Sequence, residues 1–230
     1  MTNNPKISII TPTTGEDSLF RLITSLDRQS IPFEHILLWD DKRLDSYLYP
    51  NPTTLKTNNP YDLNSDNRYN IVIKGSLVQG KAYGSALRSV GLMSCNTEFV
   101  TFADSDVFYE PNHLENMLDL IKDANWAYCR RKIWANEECL GVDNFESVGD
   151  SVDKKVPYEM VDNNCMIFRR RFGTSGAVLY RETENYNDDR LFYNFLKAHA
   201  GVPNKTNDAT VNQVCPERLI PMFKQNCTRI

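Results

Sequence analysis

The stretch of sequence that decides the fold is Glu98-Phe-Val-Thr-Phe-Ala-Asp-Ser-Asp106. Residues 99–103 have the length and the aromatic and β-branched content of a buried strand. That strand ends directly in two acidic residues with one serine between them. The stretch therefore predicts a core strand whose end carries two carboxylates at the rim of a sheet.

Strands alternate with helices on both sides of this stretch. The segment 17–28 predicts a helix because its apolar residues recur on one face. These residues are Leu19, Leu22, Ile23 and Leu26. Strands are also predicted at 6–11, 35–39 and 70–74, and helices at 81–93 and from Pro111 onward. This alternation predicts an α/β protein with a mainly parallel sheet flanked by helices.

The last hundred residues have a less regular pattern. Extended segments are predicted at 126–132 and 164–168, a helix at 188–199, and a long surface loop at 50–67. We interpret the whole chain, 1–230, as a single domain. Residues 1–132 would form one ligand-binding half, and residues 133–230 would form a wall for a second ligand.

Composition describes an ordinary soluble globular protein. The 230 residues are 41% hydrophobic, and 26 basic against 30 acidic residues give a net charge of -4, so there is no basic field for a nucleic acid. No stretch has the apolar length of a membrane span, and the apolar run at 7–10 is too short for a signal peptide. A cytoplasmic protein is expected. The six cysteines lack metal-ligand spacing and are expected to be reduced and mostly buried.

Polar groups follow three predicted strands, at the sheet edge where open α/β sheets bind ligands. They are Thr11-Pro-Thr13, Asp40-Asp41 and Asp104-Ser105-Asp106. No glycine-rich dinucleotide or P-loop motif is present. An acidic cradle would repel a phosphate unless a divalent cation lay between them, and Asp104 and Asp106 would hold Mn²⁺ or Mg²⁺. The alternative is that Asp104 and Ser105 only cap a turn.

Four segments together resemble the family 2 glycosyltransferases of the GT-A fold, which is Rossmann-like. They are Lys6-Ile-Ser-Ile-Ile-Thr-Pro-Thr13, His35-Ile-Leu-Leu-Trp-Asp-Asp41, Gly80 through Arg88-Ser-Val-Gly91, and Glu98 through Asp106. The resemblance covers residues 6 to about 122, and the combination is specific although each segment alone is weak. It implies that 1–132 binds a nucleotide sugar and that 133–230 binds an acceptor.

The resemblance implies a metal-dependent, inverting, hexosyltransferase-type enzyme. It would move a sugar from a nucleoside diphosphate, with UDP favoured, to a hydroxyl of a glycan or glycoconjugate acceptor. The residues implied to hold the nucleoside are Thr11, Pro12, Thr13, Asp40 and Asp41. Asp106 would ligate the metal, with Asp104 nearer the ribose or a metal-bound water. Ser105 lies between them.

One later segment, Asn187-Asp188-Asp189-Arg-Leu-Phe192, resembles the acidic pair that opens a helix in these enzymes. The resemblance implies that Asp189 is the catalytic base. The alternative is that Asp188 and Asp189 only stabilise the helix N-terminus through its dipole.

Several residues have weaker alternatives. Lys81 would meet the nucleotide or be a solvated lysine, and His199 would be a third metal ligand or a surface residue at a helix end. The basic runs 130–132 and 169–171 would face an anion, but we favour a solvated face. Trp134 would stack on an acceptor sugar or anchor packing.

Two other functions remain open. A sugar-phosphate nucleotidyltransferase also holds a metal with aspartates, but the glycine-rich loop that it needs after Ile10 is missing. A GT-A domain without catalysis would bind nucleotide or glycan only. The acids at 104, 106 and 189 favour an active enzyme.

Overall fold

The structure is a computed structural model, and it describes residues 5–40, 68–75, 84–149, 159–176 and 188–230. The loop predicted at 50–67 lies outside these residues. So do two predicted nucleotide contacts, Asp41 and Lys81. Of Asp40, only the backbone is described.

A parallel sheet forms the half of the protein for which the sequence pattern was most regular. Its strands are β1 (Ile7–Thr13), β2 (Phe33–Asp40), β3 (Arg68–Gly75) and β4 (Phe99–Phe102). They lie in the order β3-β2-β1-β4, and every neighbouring pair is parallel. All side chains of β1 and β4 are buried, as expected for parallel strands covered on both faces.

Three helices of this half pack on the sheet. They are α1 (Leu19–Leu26), α2 (Ser85–Ser94) and α3 (His113–Ile121). Each buries one apolar face, as the periodicity predicted. In α2, Gly91 faces Ile10 of β1 and Leu38 of β2, so the backbone of this helix lies close against the two strands.

The rest of the chain extends the same sheet with mixed pairing. Its strands are β5 (Val107–Tyr109), β6 (Trp126–Ala135), β7 (Glu138–Asp143), β8 (Met166–Arg169), β9 (Asn204–Val214) and β10 (Cys227–Thr228). Its helices are α4 (Arg170–Gly176), α5 (Asp188–His199) and α6 (Ile220–Asn226). β8 lies antiparallel between β4 and β6 and joins the two parts into one sheet, which has ten strands in the described residues.

The predicted α/β class with a helix-flanked parallel sheet is confirmed. All six cysteines are free, and four of them are buried. In the described part of the chain, no helix has the length and apolar character that a membrane crossing requires. The sequence pattern did not indicate β5, β7, β9, β10, α4 or α6.

The prediction of a solvated face is wrong for the middle residue of the first basic run. Arg131 is buried, with only 1% of its side chain exposed. Successive residues of a strand point to opposite faces of the sheet, so a run of three in β6 cannot share one surface. Lys132 pairs with Glu110 on one face, and Arg131 enters the interior on the other.

The close approach of α2 gives a test of the packing. In Gly91→Ala, the new Cβ would clash with Ile10 Cγ2 and would lie 2.9 Å from Leu38 Cδ1, and both neighbours are fully buried. We expect the free energy of unfolding to fall by about 1–2 kcal/mol, because overpacking outweighs the better helix propensity of alanine. Urea denaturation measures this change.

Met93→Ala is the matched control, since Met93 is in the same helix and 72% exposed. It should leave stability almost unchanged. If Gly91→Ala instead stabilises the protein by about 1 kcal/mol, helix propensity alone determines the change in stability and the packing argument is wrong.

Candidate functional site

The first acid after β4, Asp104, is held on three sides. Arg88 of α2 forms an ion pair with its Oδ1. The side-chain amide of Asn164 donates to its Oδ2 at 3.1 Å, and the amide oxygen of the same residue accepts from the Asp104 backbone N–H at 2.6 Å. The carboxylate therefore has one fixed orientation at the strand end.

The second acid, Asp106, has one satisfied oxygen and one orphaned oxygen. Gln213 of β9 donates to Oδ2 at 3.2 Å. Among the described residues, Oδ1 is buried and has no hydrogen-bond partner. Burial, and secondarily the carboxylate of Asp104, raises the pKa of Asp106 to about 7. Such an oxygen is one that a cation would satisfy.

A buried arginine lies behind both acids. Arg131 donates to Asp143 at 2.9 Å, to Glu146 at 2.5 Å, to Asp162 and to Gln213. Asp162 in turn accepts from the amide and the backbone N–H of Asn164, at 2.7 and 2.9 Å. We call these side chains, together with Asp104, Asp106, Arg88 and Asp189, the carboxylate network.

The predicted base, Asp189, lies in the first turn of α5, as predicted. Its Oδ1 accepts a hydrogen bond from Asn163, the neighbour of Asn164 in a short 3-10 turn. Asp188 instead accepts from Ser85 at the start of α2. Burial, and next the charge of Asp162, raises the pKa of Asp189 to about 8. The two acids of the pair therefore have different surroundings.

The residues predicted after the first strand are the last three residues of β1. The Thr11 hydroxyl is fully buried and hydrogen-bonded to His35 at 3.0 Å, so its side chain lies in the core rather than in the crevice. Pro12 packs against Gly84, whose φ of 84° and close approach both favour glycine. The Thr13 hydroxyl donates to Glu16 at 2.8 Å.

Glu16 connects this strand end to Ser105. Burial alone would raise the pKa of Glu16, but hydrogen bonds from Thr14, its own backbone N–H, Thr13 and Ser105 lower it. The ends of β1 and β4 are therefore in direct contact, as expected for neighbouring parallel strands. Sequence reasoning did not single out Glu16.

The described contacts of the weaker candidates are with other residues. His199 is exposed at the far end of α5, about 16 Å along the helix from its start, and its ring contacts Phe195. These contacts fit the alternative of a surface residue at a helix end, and the role of His199 as a third metal ligand stays a prediction. Trp134 packs on Phe108 and donates to Asn212 at 2.9 Å, which is the packing role. The basic run 169–171 lies mainly at the surface, as predicted.

A cavity of about 420 Å³ lies between α1 and β5. Asn212 and Phe108 line it, whereas the neighbouring Gln213 points to Asp106. Because adjacent residues of a strand face opposite sides, this cavity is on the other side of β9 from the carboxylate network.

The network carries more acids than bases. Its carboxyl groups are those of Asp104, Asp106, Asp143, Glu146, Asp162 and Asp189, and its guanidinium groups are those of Arg88 and Arg131. This excess of carboxyl groups, with the orphaned Asp106 oxygen, fits a hard divalent cation. Among the described residues, no three candidate ligands form a complete metal cage.

Sequence reasoning missed the residues that hold the acids in place. They are Arg131, Asp162, Asn163, Asn164 and Gln213. The polar triplet 162–164, one residue before the apolar strand β8, was a usable signal, since buried polar groups beside a core strand need partners. Gln213 carried no such signal.

Comparison with known proteins gives structural neighbours only. No protein-family model matches the chain, and no curated protein is similar to it in sequence. Among solved structures, residues 1–349 of S. aureus TarS in complex with UDP-GlcNAc are similar, with a TM-score of 0.66 and 20% identity over 92% of this chain and 59% of that chain. The complex of the same protein with UDP gives a TM-score of 0.60 and 19% identity. This match covers 95% of this chain and 63% of that chain.

A longer TarS structure gives a TM-score of 0.61 at 18% identity and covers 91% of this chain. The chain spans less than two thirds of each of these TarS chains. At this identity the likeness shows the fold, which is the GT-A fold of these neighbours.

The pKa of Asp189 gives a test that separates a base from a helix cap. Its folded pKa of about 8 lies above the ordinary value of 3.8, so the native state holds a proton that the unfolded state has lost between these values. The contribution of Asp189 to the stability of the metal-free protein should therefore fall as pH rises through this window. The charges around Asp189 are Asp162, Arg88, Asp104 and Glu146.

Asp189→Asn removes this titration, so its melting temperature should exceed that of the parent by a margin that grows from pH 5 to pH 8. Thermal melts in chelator measure it, with the exposed Asp208→Asn as the control that should show no growing margin. A helix cap predicts the opposite sign, because the ionised carboxylate would then stabilise the helix.

Proposed function

We propose that the protein is a glycosyltransferase of family 2 that uses a nucleoside diphosphate sugar. The observation that carries this proposal is the buried, orphaned Oδ1 of Asp106 at the end of β4, in a network that also contains Asp189. The GT-A fold and the TarS complexes with UDP-GlcNAc and UDP support a nucleotide sugar as donor, with UDP favoured.

The nucleotide would lie across the carboxyl ends of β1, β2 and β4. Pro12 and Thr13 come from the first of these ends, Asp40 from the second and Ser105 from the third. Ligands of open α/β sheets bind at this edge. Asp41 and Lys81 stay predictions for the same nucleotide, and Thr11 contributes through its backbone because its hydroxyl is used by the core.

Asp106, with Asp104 beside it, would hold Mn²⁺ or Mg²⁺. When bound, the cation supplies charge that offsets the diphosphate of the leaving group. Arg88 keeps the Asp104 carboxylate turned toward α2, and Gln213 leaves one oxygen of Asp106 free. The chain's own acids therefore take two distinct orientations at one strand end.

Asp189 would accept the proton of the attacking hydroxyl in a single displacement that inverts the anomeric centre. A base works best when its pKa is near the working pH, and burial brings that of Asp189 to about 8. The amide of Asn163 donates to Oδ1 and leaves Oδ2 as the oxygen for the proton. The acceptor, a glycan or glycoconjugate, would bind against residues 133–230.

Asp106→Ala tests the metal assignment. It should abolish Mn²⁺-dependent UDP binding, because it removes the orphaned Oδ1 that the cation would satisfy, while the melting temperature of the metal-free protein does not fall. Isothermal titration with UDP, with and without Mn²⁺, measures the loss. Asp208→Ala, which changes an exposed acid of β9, should bind like the parent.

If Asp106→Ala binds UDP and Mn²⁺ like the parent, or if the parent transfers sugar at full rate in chelator, metal use at this site is wrong. If the parent binds UDP-GlcNAc but neither hydrolyses nor transfers it, the domain is a binding module.

Asp189→Asn tests the base. The amide cannot accept the proton, so kcat should fall by roughly 10²–10⁴ while UDP affinity is kept. The assay is UDP release, with the donor first chosen by a thermal-shift screen of UDP-, dTDP- and GDP-sugars in Mn²⁺. Asp188→Asn is the matched neighbour and should cost much less, because Asp188 is tied to Ser85. Near-parental turnover of Asp189→Asn, or the main loss in Asp188→Asn, would show that the base is misassigned.

A further inference from the structure

We infer that Arg131 and Gln213 act as positioning residues that aim both acids of Asp104-Ser105-Asp106 at the cation. This inference rests on the proposed function. Arg131 touches neither acid directly. It acts through two arms, one of which runs through Gln213 to Asp106 and the other through Asp162 and Asn164 to Asp104.

The first arm fixes the orientation of a side-chain amide. Arg131 donates to the Gln213 oxygen, so the nitrogen of that amide must face the other way, toward Oδ2 of Asp106. The backbone N–H of Val214 also donates to the Asp106 carbonyl at 3.1 Å, which fixes the end of β9 at this residue. Oδ2 is thereby occupied, and Oδ1 is the oxygen left for a cation.

The second arm fixes Asn164 in the same manner. Arg131 pairs with Oδ2 of Asp162, while Oδ1 of Asp162 accepts from the Asn164 amide. The Asn164 oxygen then faces the Asp104 backbone N–H, and its nitrogen reaches the Asp104 carboxylate. Arg131 therefore acts on both carboxylates through other side chains, while Arg88 holds the second oxygen of Asp104 directly.

Arginine is suited to this position by its planar set of donors. Nε, Nη1 and Nη2 of Arg131 each reach a different carboxylate, those of Asp143, Asp162 and Glu146. A lysine offers one point charge and cannot serve all of these directions. Side chains that orient metal ligands typically change metal affinity 10–100-fold when they are mutated.

Gln213→Leu is the decisive variant, because it cuts the first arm and leaves Arg131 with its three carboxylate partners. We expect Mn²⁺ affinity, in the presence of UDP, to fall 10–100-fold, measured from the electron paramagnetic resonance signal of free Mn²⁺. Asn212→Leu is the matched control. It removes a buried amide from the adjacent residue, which bonds Trp134 and Glu110 on the opposite face.

The control should lose stability but keep the parental Mn²⁺ affinity. If Gln213→Leu also keeps that affinity, or if both variants lose it equally, Gln213 is merely structural and the inference is wrong. Arg131→Lys keeps the charge and should weaken Mn²⁺ at least as much as Gln213→Leu at temperatures below its melting transition. If Asp106→Ala itself leaves Mn²⁺ affinity unchanged, the proposed function fails, which is a different result from failure of Gln213→Leu alone.

Discussion

The burial of one guanidinium among carboxylates is the constraint on which the second half of the structure depends. Moving an ion out of water costs several kcal/mol, so Arg131 is stable in the interior only if its partners surround it. Those partners come from β7, the turn after it, the 3-10 turn before β8, and β9. Each of these segments must therefore take its place for the charge to be compensated. The same set of contacts holds the acids at the end of β4. The interactions that stabilise this half of the fold therefore also position the site.

The first half of the fold was predictable because its signals are local. Apolar periodicity indicated strands β1 to β4 and helices α1 to α3, and the acids at strand ends indicated the edge where a ligand would lie. Helix α5 and its opening acids were also predicted with their correct bounds. Boundaries elsewhere differed by a few residues, since strand ends depend on pairing with neighbours.

The second half was predicted poorly because its signals are not local. β9, with the sequence Asn-Lys-Thr-Asn-Asp-Ala-Thr-Val-Asn-Gln-Val, is mainly polar and becomes a strand by pairing with β6 and β5. Arg131 lies in a basic run that resembles a surface, and only its partners, up to 82 residues away, explain its burial. Thr11 lies at the edge of the sheet where a ligand was predicted, yet its hydroxyl forms a hydrogen bond with the buried His35.

The contact between β9 and Asp106 also bears on how the protein folds. Asp106 and Gln213 are 107 residues apart in the chain, so their hydrogen bond closes a long loop. Contacts at such separation form late, because the chain loses the entropy of a long loop before the contact can stabilise it. A growing chain on the ribosome can complete the sheet from β1 to β4 well before β9 emerges. The parallel sheet would thus form before the carboxylate network. The Asp106 carboxylate would take its final orientation only when β9 pairs and Gln213 reaches it.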